Sequence, residues 1–477
     1  MTAPDTGTAS GDMPDTGTAS GEQTAAGARG RLPVVLRNPA FGAVWSAQVL
    51  TQAAARMFQV GVVWWLISQT TDTDRGFASG AFLAVSTLPA VVLVPLVARI
   101  IARYPHRGVL AGAAAAAGLI ATVTAVWTYV AHLPTAVVYA AALLLAGCQA
   151  LFDPCLTTSV PELVDDADIE AATGFELSTQ SLAGLAGGLL GPLLVDAWDL
   201  AGIVAGCAGA YLTAALLVTL TRFPRAVTAD ASQSPGEMSP GAAPQRRTLR
   251  QVLAGLPHIR HALFCFAAAN LFTTAVYVVM PLYTRSVLDG RGSTVAALEA
   301  ALGVGTLLGS FTGGRVPGSP TTVGGMCLAL MALALATPGF APTAAVALVS
   351  LIVAGWCVGA IGVRFVALFQ RSVPAADKPG FFAVMQALLG ATFPLSSLLF
   401  GVLGDHLEAR WLCLVQGAGL LPVAAALFLL GRRGDTTAPD TRAPGPQAAP
   451  ATAPEPGATS ARTAPADTLT AAPGALR

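Results

Sequence analysis

A stripe of polar side chains runs through an apolar stretch long enough to cross a bilayer. Within 41–68, Gln48, Gln52, Arg56 and Gln59 recur at helical spacing, and at 100° per residue they fill an arc of roughly 80° with Trp45 beside it. A guanidinium stays charged and carries five donors. At bilayer depth it costs about 3 kcal/mol or more, so it must face protein or a water-filled cavity and not lipid. Amides around a permanent cation can bind and orient a polar solute. Two readings follow: the stripe lines a solute pathway, or Arg56 is neutralised by a neighbouring carboxylate for helix packing alone.

The rest of the chain must build the surroundings of that stripe. Of 477 residues, 54% are hydrophobic and 11% charged, with a mean hydropathy of +0.64. That is too little charge to coat a soluble fold of this size, so the chain reads as an integral membrane protein embedded in a lipid bilayer. The formal net charge is zero, which gives no argument for a nucleic-acid partner. Cys148, Cys155, Cys207, Cys265, Cys327, Cys357 and Cys413 lie in or against apolar runs without metal-ligand spacing, and read as reduced, buried thiols. The sequence carries no His-rich metal cluster, nucleophile motif or phosphate-binding Gly-Lys-Ser/Thr signature. An enzyme, a cofactor and direct use of ATP are therefore not expected.

Twelve apolar runs follow one another, near 41–68, 77–101, 109–131, 135–158, 171–195, 200–220, 261–283, 295–316, 321–340, 343–369, 381–403 and 411–430. Most are close to the ~20 residues that a 30 Å hydrocarbon core demands. The expected fold is an all-α membrane protein of twelve transmembrane helices in two pseudo-symmetric six-helix bundles. A polar, Pro/Gly/Ser-rich linker at 223–257 separates bundles at 37–222 and 258–433. The tails, 1–36 and 434–477, lack hydrophobic periodicity and read as disordered; the first carries a direct repeat, Pro4–Gly11 and Pro14–Gly21, and no apolar signal-peptide core in its first 32 residues. Arginine is dense on one side, with Arg37, Arg99, Arg103, Arg107, Arg222 and Arg260 among many, and sparse on the other, with Arg75, Arg285, Arg291 and Arg410. The positive-inside rule then places both termini and the linker in the cytoplasm of a protein in the plasma membrane.

The halves resemble each other. Ser159-Val160-Pro161 recurs as Ser372-Val373-Pro374, and Gly191 with Asp196 recurs as Gly401 with Asp405, both roughly 210 residues later, as expected of repeats related by an axis along the membrane normal.

Three segments carry a resemblance to a known family: Leu36-Arg37-Asn38-Pro39-Ala40-Phe41 with Trp45 and Gln48, Phe152-Asp153-Pro154 running to Pro161-Glu162-Leu163-Val164, and Phe369-Gln370-Arg371-Ser372-Val373-Pro374. Together they resemble the major facilitator superfamily, and within it the twelve-span exporter group that includes the enterobactin exporter and drug/proton antiporters. The loop after the second span departs from that group, with Arg103 where the signature has an acid, and Ala55 stands where many relatives carry aspartate. Proton coupling must then be sought among this chain's own carboxylates. The resemblance implies a cavity lined by spans one, four, seven and ten. Candidate substrate contacts on those spans are Gln48, Gln52, Arg56 and Gln59, then Gln149, then Asn270, Thr274 and Tyr277 on one helical stripe, then Trp356 and Arg364. Trp64, Trp65, Trp198 and Trp411 read as interfacial anchors.

Two arginines suggest an amphipathic substrate with an anionic or strongly accepting group. In the resembled family an acid at the position of Asp153 latches the outward-facing form onto the basic loop after span two, here Arg107 and Arg103; otherwise Asp153 caps a local turn. Glu176 reads as the carboxylate clearly inside a span, either carrying a coupling proton or balancing Arg56. Asp196, Asp199 and Asp405 read as solvated ends. The function expected is proton-driven export of a small amphipathic organic molecule, a drug, siderophore or secondary metabolite, by a monomer working through alternating access. An importer or facilitator on the same fold, or a membrane sensor that has lost transport, are the alternatives.

Overall fold

The computed structural model of the chain describes residues 33–69, 74–131, 133–164, 168–223, 257–373 and 378–437. The central linker lies outside these residues, as does most of each tail. In hydrocarbon a backbone has no water to bond, so an apolar run must satisfy its own N–H and C=O groups as helix. The elements are α1 (Val34–Arg37), α2 (Pro39–Gln69), α3 (Arg75–Val92), α4 (Val94–Arg103), α5 (His106–Val130), α6 (Thr135–Leu163) and α7 (Ile169–Leu220). They continue with α8 (Pro257–Thr274), α9 (Val276–Ser286), α10 (Gly292–Thr312), α11 (Pro320–Phe340), α12 (Ala344–Ser372), α13 (Lys378–His406) and α14 (Ala409–Thr437).

Local chemistry sets several boundaries. Asn38 Oδ1 accepts from the N–H groups of Ala40 and Phe41, both at 3.1 Å, and so caps α2. Ser319 and Thr343 do the same for α11 and α12. Pro89 precedes the break between α3 and α4, and α7 is two helical arms meeting at Asp199, whose φ of 56° is a left-handed conformation that aspartate tolerates.

Ten of the described helices are long and apolar enough to cross a membrane, two fewer than the runs counted in the sequence. The two arms of α7, on either side of Asp199, count once within Leu182–Leu220 although each is a separate apolar run, and α2, although 31 residues long, is made less apolar by its own glutamines and arginine.

In the first half of the chain α2 lies along α7, α5 packs on both α6 and α7, and α3 crosses α6. In the second, α10 packs on α12, α12 on α11, and α8 on α13. Small residues let α10 and α12 touch backbone to backbone: a Cβ added at Gly309 would sit 2.0 Å from the Trp356 carbonyl oxygen, and one at Gly359 2.2 Å from that of Thr306. Helices of the two halves meet along α3 with α13, α7 with α10, and α2 with α9. The larger apolar core runs through both halves, and all the helices up to Asp435 form one compact unit.

Candidate functional site

Arg56 sits midway along α2, where that helix packs against α7. A Cβ at Gly187 of α7 would fall 2.7 Å from the Cβ of Arg56, so glycine there is what admits the approach. The arginine side chain reaches across the boundary between halves. Its Nη2 lies 3.1 Å from Glu299 Oε2 on α10, with only 18% and 14% of the two side chains exposed. Nη1 donates to Gln59 Oε1 at 2.7 Å, and Gln59 Nε2 donates to Ser86 at 3.3 Å. The guanidinium carbon stands 4.4 Å from the ring centroid of Tyr277 on α9, within range of a cation–π contact. One first-half cation is thus held by an anion and an aromatic face of the second half.

Glu299 was absent from the expected site. It falls inside the eighth apolar run, so Glu176 is not the lone intramembrane carboxylate, and the counter-ion of Arg56 is Glu299. Glu176 belongs to the backbone of α7, but its side chain lies outside what the structure describes.

Two cavities share Arg56 as a wall. The first, about 350 Å³, is enclosed by α2, α3, α6 and α7 and lined by Gln52, Gln59, Ser86, Gln149, Asp153 and Tyr211. The second, about 330 Å³, lies between the halves and is lined by Tyr277, Glu299, Leu302, Thr306 and Ser310 with Gly184 and Leu185 of α7. In the first, Asp153 accepts from Gln149 Nε2 at 2.7 Å and from Gln52 Nε2 at 3.2 Å. Tyr211 was also missed, because it belongs to the sixth span, which was not expected at the cavity. It is 2% exposed, and its hydroxyl has no hydrogen-bond partner among the described residues. Such a group costs free energy unless something bonds it. Tyr211→Phe is therefore expected to leave the thermal midpoint unchanged or slightly raised, and to raise KM about fivefold for a transported compound whose oxygen accepts that O–H; parallel melting and transport curves check both.

The remaining candidates are spread more widely. Gln52, Arg56, Gln59 and Gln149 line the first cavity and Tyr277 the second, whereas Gln48 is 2% exposed and absent from both linings. Asn270 donates to Thr392 at 2.6 Å and to the Leu389 carbonyl, tying α8 to α13, and the Thr274 hydroxyl bonds back to the Asn270 carbonyl. Trp356 donates to Thr312 at 2.8 Å across the α10–α12 contact. Arg364 is engaged with the carbonyls of Gly313, Gly314, Val316 and Gly318, and so holds the turn that follows α10. Arg103 is exposed at the end of α4, and Arg107 donates to the Thr219 carbonyl. Among the described residues, His106 Nδ1 at the start of α5 lies 2.7 Å from Glu162 at the end of α6. Trp64 is not an interfacial anchor: it is 3% exposed and donates to Asp196. Asp196 and Asp405 are bonded within the protein and are not simply solvated ends.

A family model described as Major Facilitator Superfamily matches residues 44–320. Macrolide efflux protein A of Streptococcus pyogenes is 20% identical over 397 residues, covering 80% of this chain and 94% of that protein. The protein of the same name from Enterococcus faecalis is 24% identical over 233 residues, covering 47% and 68%. Among solved structures, a bacterial homologue of the human lysosomal transporter Spinster, inward-facing and unoccupied, superposes with a TM-score of 0.64 at 13% identity over 83% of this chain and 97% of that one. A POT family transporter gives 0.64 at 9% identity over 84% and 99%. The chain, an all-helical, multi-pass membrane transporter and not an enzyme, belongs to the Major Facilitator Superfamily.

Proposed function

We propose that this transporter exports a small, partly hydrophobic organic molecule by alternating access, with twelve crossings in two halves that rock about a central site. The observation that carries the reading is the Arg56–Glu299 pair, with Tyr277 against it, on the wall common to both cavities. An ion pair that joins the halves at membrane depth must be kept, broken or exchanged whenever they move. Both arginines invoked for an anionic substrate are engaged, Arg56 by Glu299 and Arg364 by backbone carbonyls. That favours a neutral or cationic amphipathic substrate. The efflux proteins among the relatives support the outward direction.

The driving force assigned is the proton gradient. Glu299, the carboxylate at the boundary between the halves, is the first candidate for the coupling group, since its bond to Arg56 joins the halves. Glu176 is kept as the second candidate for that role. The arginine-rich loops support a reading in which both termini are cytoplasmic, and the working unit proposed is a monomer in the plasma membrane. Deletion and overexpression strains scored for accumulation of a compound panel that includes macrolides, with and without an uncoupler, test the proposal. Lower accumulation that the uncoupler reverses supports it; identical accumulation in all strains would overturn it.

A further inference from the structure

At the arginine-poor end of the bundle the halves are joined twice, each time by a carboxylate seated on the first turn of a helix from the other half. Asp405, near the end of α13, accepts from the N–H of Gly76 at 2.7 Å and of Phe77 at 2.9 Å, at the start of α3. Asp196, near the end of the first arm of α7, accepts from the N–H of Ser293 at 3.3 Å, at the start of α10. Its other oxygen takes the Trp64 indole N–H at 3.0 Å, a bond within its own half that keeps it aimed. The first N–H groups of a helix have no intrahelical acceptor and carry partial positive charge, so a carboxylate suits both places. Glycine brings the backbones together at each: a Cβ at Gly76 would lie 2.3 Å from the Gly401 carbonyl oxygen, and one at Gly292 2.4 Å from that of Pro192.

The two contacts are the same contact repeated. The sequence similarity between Gly191 with Asp196 and Gly401 with Asp405 marks the two helices whose carboxylates accept, and α10 and α3, whose N–H groups donate, are the matching helices of the opposite halves. Rocking that separates α7 from α10 separates α13 from α3 with it.

We infer that Asp196 and Asp405 are a matched pair of latches that hold the arginine-poor end shut, so that both release before the cavity beside Thr306 opens toward that side. Each latch favours the closed form independently. Their effects multiply, because they bias one equilibrium. The inference rests on alternating access, but its readout needs no substrate.

A cysteine placed by Thr306→Cys on the wall of the cavity between the halves can be labelled with a membrane-impermeant maleimide from outside intact cells, the rate of the chain lacking that cysteine being subtracted. Asp196→Ala and Asp405→Ala are each expected to raise the outside rate roughly tenfold and the double variant roughly a hundredfold, the loss of charge-assisted bonds to backbone N–H. Asp405→Asn, which keeps size and one acceptor, should fall between wild type and Asp405→Ala. Labelling of inside-out vesicles should not rise. An unchanged outside rate in the double variant overturns the inference, and so does a rise from both sides, which would mark loosened packing. If the rates shift as expected while no compound is exported, the latches stand and the export reading falls.

Discussion

Transport by a Glu299→Ala variant is expected to fall at least about a hundredfold, together with a clear loss of thermal stability. The alanine leaves a guanidinium in a mostly buried place with its anion gone, and breaking one side of a buried pair typically costs about 3–5 kcal/mol. The contacts that remain are the Tyr277 ring at 4.4 Å and the Gln59 oxygen at 2.7 Å. A cation–π contact supplies roughly 0.5–2 kcal/mol, short of the deficit. Arg56→Gln with Glu299→Gln behaves differently, because it removes both desolvated charges and retains groups that can hydrogen-bond across the same gap. That double variant should melt within about 1 kcal/mol of wild type. It should still exchange labelled substrate across the membrane down its gradient, yet not pump against one. Thermal midpoints in detergent, counterflow exchange and energised efflux separate the three chains. Energised efflux by the double variant at the wild-type rate would show that the pair serves packing alone.

The sequence made the cation visible and hid its partner. An arginine in an apolar run stands out in one dimension, and helical periodicity is enough to place Gln52, Arg56 and Gln59 on one face. Glu299 stood in a run of similar length, but it is 243 residues away, and which helices face each other is a property of packing that periodicity does not encode. The stripe on the seventh span failed for a local reason. The helix is interrupted between Thr274 and Val276, and Asn270 turns to α13 while Tyr277 meets Arg56. Arg364 misled through its length, since a long side chain based in an apolar helix can carry its charge to carbonyls near the helix end. The repeat of glycine and aspartate at the ends of spans five and eleven was legible as a pattern. Its meaning needed the partner helices, since a carboxylate that ends one helix looks solvated until another helix begins beside it.

Neutralising Asp153 should lower transport of cationic amphipathic compounds by about ten- to a hundredfold while neutral ones of similar size stay within about threefold. Among the described residues Asp153 is the acid on the lining of the first cavity, and the guanidinium on that lining is already balanced by Glu299. A monovalent cation about 4 Å from a carboxylate gains roughly 4 kcal/mol at an effective dielectric constant of 20. Dehydration of the cation takes back part of this, and the remainder is the expected tenfold to hundredfold. Asp153→Asn keeps the side-chain volume and one oxygen for Gln149 or Gln52, so the cavity wall survives and the charge alone is removed. The resemblance to exporters gives Asp153 another role, as a latch onto the loop of Arg103 and Arg107 in the outward-facing form, and the two roles separate cleanly. A latch acts on the state and not on the solute, so its loss would depress cationic and neutral compounds alike and change thiol labelling from the two sides of the membrane. A charge that recognises substrate discriminates between compounds and leaves the labelling rates of the unloaded transporter where they were.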